Sequence, residues 1–131
     1  MTDDTAPRSF PGSIDICFRK SFTFQGRAPR TELWYFVLFA VLVGIVVGVA
    51  VGVLTFAVGI NVLWVRFLVD LVMLPASVSV QVRRLHDLDR SGWWWWLFLI
   101  PVVGAIILLV WNCSRGTEGP NRFGPPVVVY D

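Results

Sequence analysis

The groups in this chain best spaced to do chemistry sit in one short segment, Arg83-Arg84-Leu85-His86-Asp87, with Asp89 close behind. The single histidine stands directly before a carboxylate, the combination from which an acid/base couple or part of a metal site is built. Neither outcome is expected here. One imidazole without a nucleophile or further ligands at metal spacing is too small a set, so the reading is non-enzymatic, with no metal and no cofactor. The two cysteines, Cys17 and Cys113, are far apart in the chain and read as free thiols.

The arginines suggest a different use for this segment. Arg83 and Arg84 resemble in type a second basic cluster, Arg27 and Arg30, which is followed by Glu32. If folding brings the two together, Arg27, Arg30, Arg83 and Arg84 form a polar surface, with His86 beside them and Glu32 and Asp87 as counter-charges. Such a surface is suited to lipid headgroups or an acidic partner.

Two further constellations lie within apolar sequence. Arg66 and Asp70 are one helical turn apart and can pair on a shared face. Ionisable groups in a membrane span are candidates for function, so an oligomeric transporter or channel using Asp70 is the alternative reading. Gly44, Gly48 and Gly52 recur every fourth residue and make a smooth face for close helix packing, within the chain or against a second copy.

These residues require elements to carry them, and composition says where those elements reside. Of 131 residues 56% are hydrophobic and only 15% charged, against the ~25% charged of soluble domains. Lipid is the implied solvent, and nothing in the net charge of +2 points to nucleic acid. Three apolar runs predict an all-α membrane bundle, with spans over about 33–58, 62–82 and 93–111. A single membrane domain covers 13–126, between a disordered tail at 1–12 and a C-terminal tail at 127–131.

Local signals sharpen that outline. Residues 13–20 suit a short amphipathic segment on the membrane surface. Pro29 fits the first turn of span one, and Gly59-Ile60-Asn61 allows a tight hairpin into span two. Pro75 should perturb span two, with Ser77 or Ser79 satisfying a freed carbonyl. Ser91 is placed to cap span three, which opens on Trp93 to Trp96, an aromatic belt at the headgroup level. Pro101 and Gly104 leave a re-entrant hairpin as the alternative for this third run.

The basic residues set the orientation. With three crossings, the cations before span one share a side with Arg83, Arg84 and Arg90, which puts the N-terminus in the cytoplasm and the C-terminus outside. A re-entrant third run would return the C-terminus to the cytoplasm.

Four motifs in order carry a resemblance: Phe24 to Trp34 (Phe-Gln-Gly-Arg-Ala-Pro-Arg-Thr-Glu-Leu-Trp), Arg83 to Asp87, Ser91-Gly92-Trp93-Trp94, and Gly116 to Pro125. Together they resemble the domain-of-unknown-function 805 family of small bacterial inner-membrane proteins. The resemblance implies a multi-pass helical protein in the inner membrane and supplies no chemistry. Its motifs flank the spans, which directs attention to the membrane surface. The function expected is an interaction or lipid-anchoring module, in contact with membrane lipids and with a membrane-protein partner or a second copy of the chain.

Overall fold

A computed structural model describes residues 9–127, and among these the regular structure is helical apart from an isolated bridge between Asn121 and Gly124. Helix α1 spans Phe10–Arg19. It starts earlier than the polar tail suggested, because Ser9 accepts the Gly12 amide at 3.3 Å and Pro11 lies in the first turn, where its missing N–H leaves nothing unpaired. The rest of the two expected tails, residues 1–8 and 128–131, lies outside the described residues.

Helix α2 covers Arg30–Gly52 and runs on through a π turn at Val53–Ala57. Pro29 is its N-cap, one position before the expected place. Gly59 then takes a φ of +79°, and Asn61 accepts the Leu63 amide, turning the chain into helix α3, Leu63–Asp87. The expected hairpin forms as described, but α3 is longer than span two by the turn containing Arg83 to Asp87. Pro75 stays inside this helix, and Ser77 Oγ donates to the Met73 carbonyl at 2.9 Å.

α2 and α3 are both long and apolar enough to cross a membrane. Most of their apolar side chains face outward, among them Val46, Val49, Phe67 and Val72. No water-exposed fold tolerates so continuous an apolar surface, whereas hydrocarbon covers it without penalty. Val51 in α2 is buried, but the main cluster of buried apolar residues lies at one end. There Cys17 of α1, Ala28, Leu33 and Phe36 pack with Ala76 and Val80 of α3.

The third apolar run departs from the expected single crossing. It forms a 3-10 helix at Gly92–Leu99, a turn, and helix α4 at Val103–Cys113. Pro101 holds Ile100 extended, and Val102 adopts φ +64° with Val103 N–H bonding back to Pro101 at 2.8 Å, a tight γ-turn. Each limb rises only about 16 Å, at ~2.0 Å per residue in the 3-10 helix and ~1.5 Å in α4, half of a ~30 Å hydrocarbon core. Gly104 permits the fold-back, since a Cβ there would lie 1.7 Å from the Leu97 carbonyl oxygen.

Both limbs therefore end at the same place. Gly92 abuts Val82 and His86, while Ser114 bonds to Arg84. The described fold is an antiparallel α2/α3 pair flanked by α1 and a helical hairpin, in place of three full-length helices, and residues 112–124 lie beside the arginine segment instead of opposite it.

Candidate functional site

The end where all these elements meet is built from charges. Arg83 projects from α3 onto Glu32 of α2, forming an ion pair with side chains 1% and 0% exposed. One turn on, Asp87 receives Arg27 Nε at 2.8 Å and the Nη1 of Arg84. Both clusters named from the sequence thus converge, as a consequence of the hairpin: it sets residue 28 opposite 83, where the Ala28 amide donates to the Arg83 carbonyl at 3.0 Å.

Their setting differs from the open surface expected. Arg27, Glu32, Arg83, Arg84, His86 and Asp87 are all buried, and only Arg30 is exposed, donating to the Cys113 carbonyl at 3.2 Å. Burial of bare charge is prohibitive, so each must find partners inside. Three guanidinium groups against two carboxylates leave a surplus of one positive charge. That surplus is dispersed onto backbone carbonyls, and only Arg83 Nη2 and Arg84 Nε take no hydrogen bond among the described residues.

The carbonyls come from the C-terminal segment. Arg27 donates to Thr117 at 2.6 Å and to Gly119 at 2.8 Å, and Arg84 donates to Ser114 at 2.5 Å. The same segment closes the end of α3. Thr117 gives both its amide and its hydroxyl to the Asp87 carbonyl, at 2.8 and 2.7 Å, and Asn121 Nδ2 donates to the His86 carbonyl at 2.9 Å. These are terminal carbonyls that no helical amide can reach. Gly116 is needed for the fit, because a Cβ there would stand 2.1 Å from Asp87 Oδ2.

His86 is not coupled to its neighbour in sequence. Its Nδ1 lies 3.0 Å from the Gly26 carbonyl, and its ring stacks on Phe123 with centroids 3.9 Å apart. With the Asp87 carboxylate held by two arginines, an imidazole–carboxylate couple does not exist. Cys17 also belongs to this end: its sulfur is 3.8 Å from Glu32 Oε1. Burial, reinforced by the Glu32 charge, pushes its thiol up to about 12, which keeps it protonated and unreactive.

Sequence reasoning missed the strap residues Ser114, Thr117 and Asn121, and it also missed a pair of amides. Gln81 and Asn112 exchange side-chain hydrogen bonds at 2.9 and 3.1 Å, joining α3 to α4 inside the packed end. The available signal for the pair was a lone amide at the polar end of the second and of the third apolar run.

The intramembrane constellations separate from this end. Arg66 and Asp70 form a two-pronged pair, Nε to Oδ2 at 2.9 Å and Nη2 to Oδ1 at 2.8 Å, with both side chains about half exposed. Arg66 also donates to the Gly44 carbonyl at 3.0 Å, so Gly44 packs within the chain, whereas a Cβ at Gly48 or Gly52 would meet nothing.

This geometry defines a class: a small helical protein with two candidate membrane-crossing helices, locked at one end by an internal arginine–carboxylate network that a C-terminal strap completes. The pattern of the family described as "Protein of unknown function (DUF805)" matches residues 21–125, and the chain belongs to that family. Among its relatives is the inner membrane protein YhaH of Escherichia coli (strain K12), 47% identical over 104 residues, which cover 78% of this chain and 84% of that protein. The inner membrane protein YhaI of the same strain is 39% identical over 101 residues, 77% of this chain and 82% of its own length. No solved structure is similar.

Proposed function

We propose that this protein is a non-enzymatic inner-membrane module that presents a rigid basic cap to the cytoplasmic headgroup layer and captures anionic lipid there. The observation that carries this reading is the division of labour among its cations. Arg27, Arg83 and Arg84 are consumed internally and make the cap rigid, while Arg19, Arg30, Arg115 and Arg122 are exposed on it.

Orientation follows from the same residues. Every described Lys or Arg except Arg66 belongs to the capped end, so the positive-inside rule assigns that end to the cytoplasm. α2 and α3 then cross the bilayer, the 92–113 hairpin is re-entrant, and both ends of the described chain are cytoplasmic. Helix α1, with Asp15 and Arg19 exposed, lies along the surface. Transport through Asp70 gains no support, because its carboxylate is already neutralised by Arg66.

The test is native mass spectrometry of protein ejected from nanodiscs containing phosphatidylglycerol and phosphatidylcholine. At about 1 kcal/mol per basic residue near an anionic surface, replacing Arg30 and Arg115 by Ala should lower phosphatidylglycerol retention roughly tenfold to thirtyfold. Unchanged retention, or a stoichiometric protein bound in place of lipid in native membranes, overturns the reading.

A further inference from the structure

A cleft of about 580 Å³ opens beside the cap, lined by Phe24, Val78, Val82, His86, Ser91 and three members of the tryptophan run, Trp93, Trp95 and Trp96. It is distinct from the arginine network, and among the described residues no carboxylate, Lys or Arg lines it. Its lining includes the Ser91 hydroxyl and the donor-only indole N–H groups, so the ring nitrogen that can accept a hydrogen bond there belongs to His86. The Gly26 carbonyl can only accept, so His86 Nδ1 carries the proton and the neutral ring has its lone pair on Nε2. Nε2 has no hydrogen-bond partner among the described residues, although His86 is only 8% exposed.

Gly92 keeps this nitrogen open to the cleft. A Cβ at that position would be 3.5 Å from Nε2 and 2.8 Å from Val82 Cγ1, so any side chain would crowd the approach. What remains is a fixed acceptor surrounded by aromatic rings. Their faces are electron-rich and attract cations, while a lone pair with no competing donor demands an N–H or O–H. A primary ammonium satisfies both requirements at once. An anionic group satisfies neither, and a quaternary ammonium satisfies only the first.

We propose that this cleft binds the ethanolamine headgroup of a phospholipid, its ammonium donating to His86 Nε2 against the walls formed by Trp93, Trp95, Trp96 and Phe24. The Ser91 hydroxyl adjoins as a donor for the phosphate. The lipid source follows from position. Trp93 and Trp96 are exposed on the outer surface, where indoles occupy the headgroup layer and the glycerol backbone can leave toward the acyl region. This inference rests on the membrane placement proposed above but not on the basic cap.

The experiment uses the full chain in nanodiscs of equimolar phosphatidylethanolamine, phosphatidylcholine and phosphatidylglycerol, with retained lipids counted by native mass spectrometry. The wild type should retain the ethanolamine lipid over the choline lipid by about threefold to tenfold, the worth of one net hydrogen bond. His86→Phe, which preserves the stack on Phe123, should abolish that preference and leave phosphatidylglycerol retention intact. Trp93→Leu, at an exposed wall, should weaken both amine lipids together and provides the answer if the His86 variant does not fold. Equal retention of ethanolamine and choline lipids overturns the proposal, as does a phosphatidylglycerol preference that disappears with His86→Phe. Loss of phosphatidylglycerol in the Arg30/Arg115 variant reports on the cap alone, so the two readings fail separately.

Discussion

Replacing Asp87 by Asn tests whether the arginine network holds the molecule together. The substitution keeps size and shape but removes the carboxylate that, among the described residues, pairs with both Arg27 and Arg84, whose side chains are 1% and 0% exposed. Neither guanidinium can turn to water, so each stays buried without a counter-charge. Breaking a buried pair in this way costs about 3–5 kcal/mol, and for a chain of this size that lowers the melting temperature by roughly 10–20 °C. Asp15→Asn is the control. The Asp15–Arg19 pair is 52% and 76% exposed, so solvent screening leaves little to lose.

Unfolding is followed by tryptophan fluorescence in nanodiscs, since Trp93 to Trp96 are next to the cap. A triple variant with Arg27→Met, Arg84→Met and Asp87→Leu should regain most of the loss, because removing all three charges also removes their desolvation penalty. The reasoning is refuted if Asp87→Asn costs under about 1 kcal/mol, the scale of an exposed pair. It is equally refuted if the triple variant is less stable than the single one.

Two further outcomes test the proposed re-entrant placement of the hairpin. Gly104→Ala puts a methyl group into the Leu97 carbonyl oxygen, so the two limbs must separate; wild-type-like thermal stability and tryptophan emission in that variant would show that they do not pack as described. Cys113 is exposed and Cys17 is buried with its thiol held protonated, so in opened cells a maleimide should label Cys113 and spare Cys17 until the protein is denatured. On intact cells an impermeant reagent should label neither, and modification of Cys113 there would restore a third full crossing.

Much of this architecture was legible in the residues. Two long apolar runs separated by Gly59-Ile60-Asn61 permit little besides a helical hairpin, because hydrocarbon requires backbone groups to be satisfied within each segment. The tryptophan run and its Ser91 cap were likewise readable, since capping depends on residues adjacent in the chain. The four flanking motifs marked the polar end as the place of interest. Pro101 and Gly104 signalled a fold-back, but length alone favoured a straight helix. What decided between them was the contact of Gly104 with the Leu97 backbone, which no local rule contains.

By itself the sequence determined the solvent, the two long apolar helices and the residue types that had to be accommodated at one end, because these follow from hydropathy and spacing along a single chain, whereas the third crossing it predicted did not form as a single helix. Only the tertiary structure decided that Arg27, Arg83, Arg84, Glu32 and Asp87 face one another instead of forming an open surface. Whether a charge is a docking group or an internal lock depends on its burial and on partners 51 residues away for Arg83 and Glu32 and 60 for Arg27 and Asp87. The strap from Ser114 to Gly124 shows the same dependence: its Gly-rich, Pro-rich composition describes a loop, and its role comes from the carbonyls and donors that only the folded cap brings within reach.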